Sequence, residues 1–186
     1  MRKILILLAI VSASACSRSD NAATDTAGTT TAGATSGSMA GMDMANSDRD
    51  FLRMMSDHHE GLIRMASAAM TKASKPATQG DAHNLHTKQA AERDTMVAML
   101  RTAYGDSYTP KVMPKNRAQN DSLQALSGAN YDRTFYRIMI DHHREGVAMI
   151  DSTMPHLTKD DVKRKADRMK ADQQKEITDF QRKASQ

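Results

Sequence analysis

Tryptophan is absent from this 186-residue chain, and the other aromatics are few, 3 Phe and 4 Tyr. Something else must fill the core, and the 15 Met suit that task because a flexible thioether adapts to irregular gaps. Cysteine occurs once, at Cys16, which excludes an internal disulfide and leaves the fold to packing alone. An excess of one charge is lacking as well. The formal net charge of +4 falls to +2 if Arg2 and Lys3 leave with an export segment, and acids are interspersed with the remaining bases, so nucleic acid is excluded as a partner. A long apolar run is also missing, since Ile4 to Val11 is too short to cross a bilayer as a mature helix. Preceded by Arg2 and Lys3, it reads as the apolar region of an export signal.

The signal ends in Ser12-Ala13-Ser14-Ala15-Cys16, small residues leading to the only thiol. This stretch resembles the lipobox of bacterial lipoproteins, which implies cleavage before Cys16 and a lipid anchor on its sulfur; Ala13 stands where such boxes more often carry Leu. Ordinary secretory cleavage near Ala15 is the competing reading. Both place the mature chain in the periplasm or cell envelope, and Ser17 after the cysteine resembles lipoproteins sent on to the outer membrane. Residues 17–46 are Thr, Ala, Gly and Ser with almost no bulky apolar side chain, so burial cannot offset their chain entropy and a disordered tether is expected. Its far end carries Met39, Met42 and Met44. Thioethers on a flexible segment suit capture of soft Cu(I), and chance in a Met-rich chain explains them equally well.

The remaining stretch, 47–186, has room for one domain. From Ser47 the pattern turns helical: Phe51, Met55, His58, Leu62, Met65 and Ala69 recur at intervals of four and three, with Ser47 or Asp48 placed to cap the start. His58 falls within this stripe, and His59 is turned about 100° from it, on the flank shared with Met55 and Ile63. Residues 75–80 are expected to break the helix, and a second one is expected from about Asp81 to Ala103. A connector follows, with one short helix expected over Asn116 to Leu126.

Then the pattern begins again. A shift of 84 residues superposes Asp48 on Asp132, Phe51 on Phe135, Met55 on Met139, Asp57-His58-His59 on Asp141-His142-His143 and Met65 on Met149, with half of an 18-residue window identical. The same shift pairs Gln89 with Gln173 and Glu92 with Glu176. The expectation is an all-α, ferritin-like four-helix bundle made of two duplicated helical hairpins, about 48–103 and 132–184, each with an apolar face it cannot bury alone. Two-fold pairing of the hairpins would bring His58 and His142 together in the interior.

A duplicated helix with Phe, Met, His-His and Met, followed by Gln and Glu on a partner helix, resembles the domain of unknown function 305 family. The resemblance implies an exported, ferritin-like helical protein, copper-binding in some members, with His58, His59, Met65, His142, His143 and Met149 at the matching positions. Side-chain chemistry agrees, because imidazole accepts several metals whereas thioether selects copper over zinc. Helix geometry sharpens the choice of Met. Met65 lies about 9 to 10.5 Å along the axis from the two histidines, whereas Met55, three and four residues away, and Met54, four from His58, are nearer local donors, as is Met139 beside His142. Core filling competes as a reading for every Met at helical spacing. Asp57 and Asp141 are candidate acceptors that orient an imidazole N–H, or simply solvated carboxylates.

No enzyme is expected. A di-iron oxidase of this fold needs Glu-x-x-His pairs, and the chain contains none. Two functions remain: an extracytoplasmic copper-binding protein, expected on its Met and His to take Cu(I) and to meet a copper-handling protein partner, and a helical envelope module whose histidines are structural and whose role is to bind another protein.

Overall fold

The structure, a computed structural model, describes residues 47–185; the expected export segment, Cys16 and the expected tether with Met39, Met42 and Met44 lie outside the described residues. The helices are α1 (Ser47–Lys72), α2 (Pro76–Tyr104), α3 (Pro114–Gln124), α4 (Gly128–Thr153) and α5 (Asp160–Ala184), with a 3-10 turn at Met154–His156. The described residues contain no strand, and no helix among them is long and apolar enough to cross a membrane. The expected all-α four-helix bundle is therefore the fold found, with α3 as a short fifth helix in the connector.

Helix α2 begins five residues before the expected position. Pro76 occupies its first turn, where the missing N–H costs nothing and the fixed φ favours a helix, so the residue expected to break the chain starts the next element. The chain turns instead through Ala73 to Lys75. At the other end of α2, Gly105 takes the left-handed conformation at φ 62° and its N–H returns to Arg101 O, closing the helix.

Helix α1 packs on α2 and α4 on α5, and the two hairpins meet where α1 crosses α4. The start of α1, at Phe51, Leu52 and Met55, shares one core with Ile150 near the end of α4 and with Met96, Leu100 and Met169. Its end, from Met65 to Ala73, shares a second core with Tyr131 and Phe135 at the start of α4. The two helices therefore run antiparallel. Residues 84 apart fall in opposite cores: Phe51 and Met55 in one, Phe135 and Met139 in the other. Midway between the cores lies a layer of buried polar groups.

Two aspartates join the hairpins. Asp132 at the start of α4 accepts from Ser74 N at 2.9 Å, Ser74 Oγ at 2.6 Å and Lys75 N at 3.0 Å, just ahead of α2. Asp48 accepts from Thr158 N at 2.9 Å, from Thr158 Oγ1 and from Lys159 N, just ahead of α5. Each carboxylate thus satisfies N–H groups at the entrance to a helix of the other hairpin, beside the positive end of its dipole. Of the two residues placed to cap α1, Ser47 or Asp48, Asp48 is corrected: its carboxylate serves α5. Helix α3 docks through Asn116, which sits so close to Gly61 of α1 that a Cβ there would overlap its side chain.

Candidate metal centre

The polar layer is built from the paired histidines. His58, on the apolar stripe of α1, and His142, at the matching place on α4, are each 1% exposed, and their ring centroids lie 3.7 Å apart with the planes tilted by 36°. Neither ring has a hydrogen-bond partner at Nδ1 or at Nε2. Burial holds both imidazoles well below the usual histidine range, and the neighbouring rings push in the same direction, so both are neutral near pH 7. Four imidazole nitrogens therefore sit together, buried and unpartnered.

His59 and His143 are also buried, because the flank they occupy faces the partner helix of their own hairpin. His59 Nδ1 donates to Met55 O at 2.8 Å, and its Nε2 meets Glu92 Oε2 of α2 at 3.0 Å. His143 Nε2 meets Glu176 Oε2 of α5 at 2.6 Å, while its Nδ1 has no partner and its ring stands edge-on to Phe180. Burial opposes ionisation of both glutamates, but the hydrogen bond and charge of the facing histidine outweigh it and hold both carboxyls below the usual range. Lys88 adds a further bond to Glu176 at 2.8 Å.

Gln89 and Gln173 complete the layer, both buried and each with an unpartnered Oε1. Met55 and Met139 are fully buried one helical turn from the histidines, as is Met65 farther along α1; Met54 and Met149 are half-buried against the core that holds Phe51. Asp57 and Asp141 do not reach an imidazole. Asp57 accepts from Tyr108 Oη and Lys111 N, both at 2.7 Å, pinning the connector to α1. Asp141 is exposed and pairs with Arg144 at 3.3 Å. The acceptors beside the imidazoles are Glu92 and Glu176, missed as site residues although the shift that pairs the histidines also pairs them.

The donor set has a definite chemical character. Among the described residues, no three His, Cys, Asp or Glu side chains are gathered as a ready-made metal cage. Two neutral imidazoles are a poor match for tetrahedral zinc and a better one for a soft ion of low coordination number.

Known proteins share this architecture. A DUF305 fragment from Deinococcus radiodurans superposes with a TM-score of 0.67 at 22% identity, over 75% of this chain and 95% of the other. A DUF305 protein from Streptomyces coelicolor gives 0.61 at 24%, over 72% and 89%. CopM in its Cu(I)-bound form gives 0.63 at 26%, over 73% and 93%, and CopM structures with Cu(II) and with silver also match. No curated protein matches the chain. The family model described as "Domain of unknown function (DUF305)" matches residues 8–100 and 48–184, and the chain belongs to that family.

Proposed function

We propose that this chain is an extracytoplasmic, non-catalytic copper-binding protein that holds or buffers Cu(I) at the histidine layer of its bundle. The observation that carries the reading is the pair His58 and His142, buried in contact with no partner at any ring nitrogen. Each unsatisfied buried polar group costs about 1–3 kcal/mol, and a bound ion removes that cost. Met55 and Met139, one helical turn from the histidines in sequence, are the candidate soft donors, and CopM, solved with Cu(I) bound, offers a precedent at 26% identity. In this reading, the chain is held to the outer membrane by lipidated Cys16, Met39, Met42 and Met44 collect copper on the tether, and a copper-handling partner receives or supplies the ion.

The test is a Cu(I) titration of the mature chain against a competing chromophoric chelator. It is repeated with His58, His59, His142 and His143 changed to Ala and with circular dichroism confirming the helices. The reading expects at least one tight equivalent to disappear. Equal affinity in the two proteins would defeat it.

A further inference from the structure

The seams between the helices of the bundle are closed in different ways. Helices α1 and α2 pack closely, as do α4 and α5, and the seam between α1 and α4 carries α3, which packs on both. The remaining seam, between α2 and α5, has no comparable backbone packing. Side chains close it instead. Lys88 of α2 crosses to Glu176 Oε1 at 2.8 Å and to Asp172 Oδ2 at 3.2 Å on α5, and Lys183 of α5 crosses back to Asp81 at 2.6 Å. Between these bridges lies a cavity of about 160 Å³, lined in part by Asp81, Asn84, Lys88, Glu176, Phe180 and Lys183. Asn84 is exposed, so the cavity reaches solvent.

The inner wall of this cavity is also the edge of the histidine layer. Glu176 Oε2 meets His143 Nε2 at 2.6 Å, and the Phe180 ring stands edge-on to His143 with centroids 5.7 Å apart. The His143 ring lies 6.4 Å from that of His142, which stacks on His58 at 3.7 Å. His143 is therefore the one side chain between the cavity wall and the buried pair. Glu176 faces both ways: one oxygen meets the buried ring, and the other is held by Lys88, whose side chain is 36% exposed.

We propose that the α2–α5 seam is the route by which a monovalent soft cation reaches and leaves the histidine layer, with Lys88 as the latch across it. The inference rests on the copper reading of the layer and adds to it the path and the residue that controls passage. An ammonium fixed over the route repels an incoming cation, and its two bridges tie α2 to α5 beside the layer. Passage requires those bridges to open. Lys88 contacts neither ring of the stacked pair, so it sets how fast the ion moves and not how tightly it is held.

The test follows Cu(I) transfer by stopped-flow absorbance in both directions, from the loaded mature chain to an excess of chromophoric chelator and back from a weaker Cu(I) complex. The phase that counts is the one missing when His58, His59, His142 and His143 are changed to Ala. Lys88→Leu introduces a good helix former and no copper donor. It is expected to quicken loading and release alike by roughly fivefold, the factor that a partly exposed ion pair is worth, at unchanged affinity. Asp172→Asn, which weakens one bridge and keeps Lys88, should act in the same direction. Lys175→Leu, on the exposed face of α5, should change neither rate. Unchanged rates in both Lys88→Leu and Asp172→Asn, with native helicity by circular dichroism, would overturn the latch and leave the copper reading intact. Faster release with unchanged loading would do the same, as the mark of a residue that only stabilises the bound state, and so would an equal effect of Lys175→Leu, as the mark of bulk charge. Absence of any histidine-dependent phase in the unsubstituted chain would overturn both.

Discussion

At the scale of the residue, the unusual feature is two neutral rings kept in the interior with nothing to bind. Replacing such groups by apolar side chains of similar size removes an unsatisfied polar cost. His58→Leu and His142→Leu are therefore expected to stabilise the metal-free chain by about 1–3 kcal/mol each, read as a higher urea midpoint, while abolishing tight copper binding. Loss of stability on both substitutions would show that the rings are held for packing. The same pair makes a pH prediction. Both folded imidazoles stay neutral well below the usual histidine range, whereas in the unfolded chain they gain protons below about pH 6.5. Unfolding then takes up protons, so stability is fully present above pH 6.5 and falls as the solution is acidified, by up to about 1.4 kcal/mol per pH unit for each ring. In the double Leu variant the slope between pH 7 and 5 should flatten, and an equal slope would contradict the assignment.

At the scale of the element, Asp48 and Asp132 carry out matching tasks at the entrances to α5 and α2. Asp48→Ala and Asp132→Ala should each cost about 1–2 kcal/mol, and because they lie at opposite ends of the bundle the double variant should cost the sum. Urea denaturation of the three variants checks this. The two aspartates also mark what was legible in the sequence and what was not. The four and three spacing around His58 showed the helix and its buried face, and the 84-residue shift showed that His58 and His142 belong together, because both signals are local patterns repeated along the chain. The partner of Asp48 is more than a hundred residues away, and no periodicity reports which chain end a carboxylate will meet. Asp57 looked like a histidine orienter by adjacency alone, yet the helix turns it outward to Tyr108 and the connector. Glu92 and Glu176 lie on the partner helices, where facing a histidine depends on how the hairpin closes.

At the scale of the whole molecule, the polar layer sits between two apolar cores, each made by both hairpins. Neither hairpin encloses a core by itself. The fragment of residues 47–104 should therefore be largely unfolded when dilute and gain helix only as it self-associates, seen as concentration-dependent circular dichroism; full helicity in a monomer would contradict this. The same architecture places both stacked rings in the seam between the hairpins, so a metal held there ties the halves of the molecule together and must show nitrogen ligands. Copper-edge X-ray absorption on the mature chain loaded with one equivalent of Cu(I) tests this most directly. The account predicts imidazole scattering from His58 and His142 that vanishes in the His58→Leu/His142→Leu variant. A copper environment made of sulfur alone, or one unchanged by that substitution, would contradict it.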